Sequence, residues 1–164
     1  MTRGMIQTVT GEVRPESLGF THSHEHLAAY ATERLRNEQP DLLLDDPSRL
    51  EIDLLDFKRV GGGCVVEMTT RDYGQDPVAL KTLSQKTGVK IVAATGFNKG
   101  TYCRPFCESA SPDELAAQQV ADIRDGINGT GVHAGVVKFG TSLDVIHPWE
   151  ETAARAAART HRAT

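Results

Sequence analysis

Residues 61–96 read GGGCVVEMTTRDYGQDPVALKTLSQKTGVKIVAATG, and this stretch decides the fold class. It begins with an apolar run over 64–69 that is typical of a buried strand. The Asp-Pro pair at 76–77 carries the N-cap and first-turn signals of a helix, which Gly88 ends. A second apolar run over 89–94 completes the unit. Strand, helix and strand in this order are typical of parallel strands with the helix packed outside.

The same alternation continues on both sides of this unit. Upstream of it we expect a hairpin over 5–13, a strand over 18–26, an extended loop over 27–46 and a helix from Asp46 to Gly61. Downstream of it we expect a loop over 97–110, a helix from Ser111 to about Gly126, a strand over 135–139 and a helix from Pro148 to Thr164. The chain therefore holds about four βα units after an N-terminal β-hairpin. It would supply about half of an eight-unit barrel of about 250 residues, or form a small open α/β sheet.

Composition and charge exclude several classes of protein. The 164 residues are 39% hydrophobic and 24% charged, which fits one globular domain rather than a disordered chain. A net charge of −4 without a run of Lys or Arg argues against nucleic acid and against an anionic membrane surface as partners. The apolar runs are too short to span a bilayer, and the N-terminus lacks the apolar stretch of a secretory signal. With an odd number of cysteines, three, we expect a reducing, cytoplasmic setting.

Three histidines stand at alternate positions at the end of the expected strand over 18–26. Alternate residues of a strand point to one side, so the imidazoles of His22, His24 and His26 should converge. Neutral imidazoles are good ligands for transition metals. The pattern favours a metal site, and a polar strand end with solvated histidines is the alternative.

Lys138 is the second unusual residue, because it lies inside the apolar run over 135–139. A lone buried ammonium group is costly, so it must find a partner or lose its proton. A neutral lysine at the C-terminal end of a strand can act as a nucleophile or bear a modification. A strand whose polar face meets solvent would explain the lysine equally well.

Motifs along the whole chain resemble the phosphotriesterase-like enzymes of the amidohydrolase superfamily. The segments that carry this resemblance are Thr8–Val13, Leu18–Thr21, His24–Leu27, Val65–Thr70, Gly88–Gly96, Ala134–Lys138, Pro148–Glu151 and the alanine-rich helix ending in 157–164. The resemblance implies a distorted (β/α)8 TIM barrel. Residues 1–164 would then be the N-terminal half of that barrel domain, truncated to about its first four βα units.

The resemblance also implies a binuclear metal centre, usually with Zn²⁺. His24 and His26 match metal ligands of the family, and Lys138 matches a catalytic lysine that carries CO2 as a carbamate and bridges both metal ions. A bridging hydroxide would be the nucleophile, since two metals lower the pKa of bound water and polarise a P=O or C=O group. The remaining ligands of the family, two histidines on the fifth and sixth barrel strands and an aspartate on the eighth, are expected beyond Thr164.

The implied activity is a zinc-dependent hydrolase of a small-molecule organophosphate triester, lactone or other ester, homodimeric when full length. Phe97 and Asn98 open the loop after the third barrel strand and are expected to bind substrate, because barrel active sites form at the C-terminal ends of strands. A truncated, catalytically inactive remnant or fragment of such an enzyme is the alternative.

Four further residues have plainer interpretations. We expect His22 to fill the barrel interior rather than to bind metal, and Glu67 to be structural or to lie behind the ligands. Cys103 and Cys107 lie four residues apart in the loop over 97–110. They are interpreted as unpaired loop cysteines, since no second Cys or His pair follows them.

Overall fold

The computed structural model describes residues 4–29, 33–38, 40–44 and 46–164. Its first element is an antiparallel hairpin, as predicted, and a four-stranded parallel sheet follows. The strands in these residues are β1 (Ile6–Thr8), β2 (Gly11–Val13), β3 (Phe20–Glu25), β4 (Gly62–Glu67), β5 (Lys90–Gly96) and β6 (Val136–Lys138).

Strand order in the parallel sheet follows chain order, β3-β4-β5-β6. Helices alternate with these strands, and single 3₁₀ turns lie at 15–17, 40–42, 71–73 and 127–129. Within the described part of the chain the helices are α1 (Glu33–Glu38), α2 (Pro47–Arg59), α3 (Pro77–Thr87), α4 (Gly100–Cys107), α5 (Pro112–Arg124) and α6 (Pro148–Ala163). This order confirms the predicted α/β class with parallel strands. None of the helices in the described ranges is long and apolar enough to cross a membrane.

Local side-chain caps explain where three of the helices begin. The Asp46 carboxylate accepts from the backbone N–H groups of the first turn of α2, and Asp76 does the same for α3. Ser111 and Glu114 form the predicted capping box at the start of α5. A proline follows each N-cap residue, where its missing N–H costs nothing.

The core consists of two large clusters and a small third one that contains Ala29 and Tyr73. The larger one lies between the parallel sheet and helices α2, α3 and α5, and includes Leu54, Val65, Leu80, Ile91 and Ile123. The second one joins α4, α5 and α6 through Phe97, Cys103, Cys107, Leu115, Ala116, Ala153 and Ala156. The small side chains of α6 allow these three helices to pack closely beside the loop that follows β5.

Two predicted loops contain helices instead. The expected loop over 97–110 holds α4, in which the free thiols of Cys103 and Cys107 are both buried. Pro105 lies inside α4, and a proline at an interior position argues against a helix when only the sequence is known. The expected loop over 27–46 holds α1 and a 3₁₀ turn, although positions 30–32, 39 and 45 lie outside the described residues.

Strand β3 carries an irregularity next to the histidines. Its register with β4 pairs His22 with Val65 and then Glu25 with Glu67. From His22 to Glu25 the chain of β3 moves three residues, whereas from Val65 to Glu67 the chain of β4 moves two. Strand β3 therefore has one extra residue here, which is a β-bulge. A bulge shifts the alternation of side chains, so the residues before and after it no longer share the faces that a regular strand would give them.

Candidate active site

The C-terminal ends of β3, β4 and β6 bring polar side chains from distant parts of the sequence together. Lys138, the last residue of β6, extends past β5 and donates from Nζ to the backbone oxygen of Met68, at 2.7 Å. Between them Gly96 adopts φ +112, and a Cβ there would lie 1.9 Å from the Lys138 backbone oxygen. A glycine at this position therefore lets the ends of β5 and β6 approach closely.

His24 and His26 lie side by side, with ring centroids 5.3 Å apart. His22 does not join them. Its Nδ1 lies 3.2 Å from Glu25 Oε2, and it lines a cavity of about 260 Å³ between β3 and α2. The expectation that all three imidazoles share one side, with His22 in the barrel interior, is therefore wrong, because the bulge turns His22 toward the helix layer.

His26 is held in a specific orientation. Its Nδ1 lies 2.9 Å from the Thr69 hydroxyl oxygen, and its ring is 5.8 Å from the ring of Tyr73. Burial lowers the pKa of His26 to about 4, helped by the positive charge of Lys138 and by His24. The imidazole is therefore neutral at pH 7, which is the state that a metal ligand needs.

The Lys138 amine is half-buried at the same place. Burial lowers its pKa below the ordinary value for lysine, and the negative charges of Asp72 and Glu67 oppose that shift. A larger fraction of neutral amine makes a lysine a better nucleophile. The site therefore combines a neutral imidazole with an amine whose pKa is lowered by burial.

The carboxylate of Glu67 bonds to backbone groups just beyond the ends of β3 and β4. Its fully buried Oε1 accepts from the backbone N–H groups of Leu27 and Thr69, both at 3.2 Å. Its Oε2 is buried without a hydrogen-bond partner among the described residues. Burial raises the pKa of Glu67 to about 7, and the Thr69 and Leu27 hydrogen bonds oppose this.

Two buried carboxylates shape the loop after β5. Asp72 accepts from the Thr70 hydroxyl at 2.5 Å and from the backbone N–H of Asn98 at 2.9 Å. Burial raises the pKa of Asp72, and these hydrogen bonds oppose the shift. On the other side of the loop, Glu150 accepts from the backbone N–H of Gly100. The loop is thereby fixed at both ends.

The prediction that Phe97 and Asn98 contact substrate stays a prediction. Phe97 is 1% exposed and packs against α4, α5 and α6, and its backbone N–H donates to the Lys138 backbone oxygen at 3.1 Å. Asn98 is partly exposed, and its side-chain oxygen accepts from the backbone N–H of Lys99 at 3.0 Å.

Reasoning from the sequence missed Thr69, Asp72, Tyr73 and Glu150. The first three follow β4 directly, and polar or aromatic residues after a parallel strand are a usable signal, since such ends meet at one edge of the sheet. Glu150 shows only the local signal of a helix start, three residues after His147, because its contact with Gly100 joins residues 50 apart.

The donor set fits part of a metal centre. Across the described ranges, no three His, Cys, Asp or Glu side chains come together as a metal site. His24 and His26 supply two imidazoles, and Lys138 supplies an amine that becomes an anionic oxygen ligand if it is carboxylated. Imidazole and carboxylate-type oxygens are ligands that Zn²⁺ accepts, although a complete centre needs further ones.

Known proteins share this sequence and fold. The model of the phosphotriesterase family matches residues 4–164. The solved structure of a lactonase from Listeria monocytogenes superposes with a TM-score of 0.90 at 35% identity, over 98% of this chain and 54% of that one. The phosphotriesterase homology protein of Escherichia coli K12 is 33% identical over 147 residues, which are 89% of this chain and 50% of that protein. The N-acetyltaurine hydrolase of Rattus norvegicus is 31% identical over 162 residues, covering 82% of this chain and 46% of the hydrolase.

The chain spans about half the length of the relatives that it matches. Its four parallel strands and their helices accordingly correspond to half of a phosphotriesterase-like TIM barrel, which confirms the predicted fold class. Because the family model covers nearly every residue, the chain belongs to the phosphotriesterase family.

Proposed function

We propose that residues 1–164 form the N-terminal half of a hydrolase barrel and contribute His24, His26 and Lys138 to a binuclear Zn²⁺ centre. The observation that carries this proposal is that His26, directly after β3, and Lys138, at the end of β6, both reach the segment that follows β4. His26 Nδ1 lies 2.9 Å from the Thr69 hydroxyl oxygen, and Lys138 Nζ donates to the backbone oxygen of Met68 at 2.7 Å. Membership of the phosphotriesterase family supports it.

Lys138 would enter the centre after reacting with CO2. The lone pair of its neutral amine attacks the carbon of CO2, an N–C bond forms, and the nitrogen releases a proton to solvent. The product is a carbamate anion whose two oxygens can each face one cation. The lowered pKa of Lys138 favours this step, because only the unprotonated amine can react.

The other residues of the site would bind and orient the substrate. When bound, two divalent ions would supply Lewis acidity and a water of lowered pKa. Tyr73 and Tyr102, with ring centroids 5.0 Å apart, continue the aromatic surface that begins at His26. This surface would exclude water and contact the apolar part of a substrate, while Asn98 lies on the loop that Asp72 fixes.

The relatives and this chemistry support several candidate substrate classes. The family name and the Listeria lactonase support a phosphotriester, a lactone or another small ester as substrate. The N-acetyltaurine hydrolases support an N-acyl amide as a second candidate. All of these carry a P=O or C=O group that an activated water can attack.

Zinc and carbamate measurements on the purified chain test the metal centre. We expect His26→Ala and Lys138→Ala to lose zinc after dialysis, and the matched exposed variants His161→Ala and Lys86→Ala to retain it. ¹³C-labelled bicarbonate should give a carbamate signal that only Lys138→Ala removes. Equal zinc content in all of these proteins would refute the proposed centre.

Hydrolysis assays with a phosphotriester, a lactone, a carboxyl ester and N-acetyltaurine then test the activity. Turnover that falls in His26→Ala and Lys138→Ala would identify the substrate class. A chain that binds zinc through these residues without any turnover would favour the alternative, a catalytically inactive fragment.

A further inference from the structure

Side-chain carboxylates bind the backbone where the chain leaves β3. The backbone oxygen of Glu25, the last residue of the strand, still accepts from the Met68 N–H at 2.8 Å. The next two N–H groups donate to side chains instead: that of His26 to Glu25 Oε1 at 2.9 Å, and that of Leu27 to Glu67 Oε1 at 3.2 Å. Two carboxylates therefore take the place of sheet hydrogen bonds at the candidate metal ligand His26.

Glu25 and Glu67 lie opposite each other in the register of β3 with β4. Glu67 is fully buried, and its Oε1 also accepts from the Thr69 N–H at 3.2 Å, so one oxygen joins the segments that follow the two strands. The Thr69 hydroxyl oxygen in turn lies 2.9 Å from His26 Nδ1. His26 is thereby held at its backbone by Glu25, and its ring contacts the segment that Glu67 holds.

The side chain of Glu25 is itself fixed at both oxygens. While Oε1 accepts from the His26 N–H, Oε2 lies 3.2 Å from His22 Nδ1, across the bulge in β3. Bulges next to active sites commonly turn a side chain toward the site, and the backbone around the extra residue needs partners outside the ladder. Glu25 supplies such a partner one residue before the candidate ligand.

We propose that Glu25 is a positioning residue, whose carboxylate, opposite Glu67, fixes the backbone of His26 and so directs its imidazole into the metal site. The metal part of this inference rests on the proposed function, whereas the fixed backbone belongs to the protein without metal. Removing a group that orients a metal ligand typically weakens metal binding about 10–100-fold. Because Glu25 acts on the backbone rather than on the ring, we expect a loss of about 10-fold.

Amide hydrogen exchange of the metal-free chain, resolved to single residues, tests the backbone contact directly. The His26 amide should exchange slowly in the wild type, because its N–H is bonded. Glu25→Ala removes the acceptor and should speed this exchange. A wild-type His26 amide that exchanges as fast as in an unfolded peptide overturns the proposal, and this result does not depend on any variant.

Two further variants separate the positioning role from a general loss of stability. Glu25→Gln keeps an oxygen for the His26 N–H and offers its NH2 group to His22, so it should retain the slow exchange. Glu16→Ala removes an exposed carboxylate from the turn over 15–17 and should change neither exchange nor metal binding. The Glu25 side chain is 40% exposed, so Glu25→Ala should leave the midpoint of urea unfolding almost unchanged.

Zinc affinity, measured by competition with a chelator, distinguishes failure of this inference from failure of the proposed function. We expect Glu25→Ala to bind zinc about 10-fold more weakly, and Glu25→Gln and Glu16→Ala to bind it as the wild type does. If His26→Ala weakens zinc binding and Glu25→Ala does not, the positioning role is wrong. If zinc binding does not depend on His26 at all, the proposed metal centre is wrong, while the exchange experiment still decides whether Glu25 fixes the backbone of His26.

Discussion

Replacing Glu150 by glutamine should destabilise the chain strongly, although the two side chains have nearly the same size and shape. The carboxylate is 0% exposed and accepts three hydrogen bonds, from Gly100 N–H at 2.7 Å, from the Ser142 hydroxyl at 2.7 Å and from His147 N–H at 2.8 Å. A glutamine oxygen can keep the two bonds on Oε1, but its NH2 group then faces the N–H of His147. Losing one charge-assisted bond and leaving that donor unpaired should cost about 2–4 kcal/mol of unfolding free energy.

The pH dependence of this cost has a definite sign. Burial would raise the pKa of Glu150, but the hydrogen bonds from His147, Ser142 and Gly100 outweigh it and hold the pKa below its ordinary value. A carboxylate with a depressed folded-state pKa stabilises the fold above its unfolded-state pKa, and this contribution is lost as pH falls through the folded-state pKa. The difference in unfolding free energy between the wild type and Glu150→Gln should therefore be largest at pH 7 and should decrease toward pH 3.

Urea unfolding followed by fluorescence checks this prediction. Trp149 is the only tryptophan of the sequence, and its indole N–H donates to the Gly100 backbone oxygen at 2.9 Å, next to the perturbed site. Glu151→Gln is the matched control. Among the described residues, the Glu151 carboxylate pairs only with Arg155, on the exposed face of α6, so this variant should change the free energy of unfolding by less than about 0.5 kcal/mol. Equal losses in the two variants, or a Glu150→Gln loss that does not vary with pH, would refute the reasoning.

Four further predictions concern the rest of the molecule. Asp122→Asn should lower the free energy of unfolding in urea by about 3–5 kcal/mol, because it leaves the charge of Arg71 without its partner. The guanidinium lies 2.9 Å from the Asp122 carboxylate, and the two side chains are only 16% and 6% exposed. A loss below about 1 kcal/mol would contradict this. His22→Leu should leave the zinc content unchanged and alter stability by no more than about 1–2 kcal/mol, whereas loss of one metal equivalent would identify His22 as a ligand. In an active protein that contains this half, Lys138→Ala should reduce turnover by orders of magnitude, with partial rescue by a short carboxylic acid; full turnover would exclude a bridging role. The 164-residue chain by itself should self-associate in sedimentation experiments. Among the described strands, β3 and β6 each have one edge without a partner strand, and such edges pair readily with another chain. A stable monomer would contradict this prediction.

The order of strands and the starts of helices could be predicted because their signals are local. The caps at Asp46, Asp76 and Ser111 each lie within three residues of the N–H groups that they satisfy. Helix α4 was missed because its interior Pro105 argues against a helix, while its stability comes from burying Cys103 and Cys107 against α5 and α6. Packing between residues that are far apart in the sequence gives no local sequence signal.

The candidate site could be predicted only in part for the same reason. The spacing of His24 and His26 indicates a pair of neighbouring rings, and the two do lie together. The position of His22 depends on a bulge, which is set by the register against β4 rather than by the residues of β3 alone. The contact between His26 and Thr69 joins residues 43 apart, and no spacing rule reaches that far.

The agreement between strand order and chain order has a consequence for biosynthesis. Each strand of the parallel sheet, from β4 onward, pairs with the strand made immediately before it, so no strand must wait for a partner that is still to be translated. At about 5–20 residues per second, a ribosome makes these residues in roughly 10–30 s, which is long compared with the closure of such local units. The sheet can therefore grow one βα unit at a time as the nascent chain emerges, and His24 and His26 are in place before the ribosome reaches Lys138.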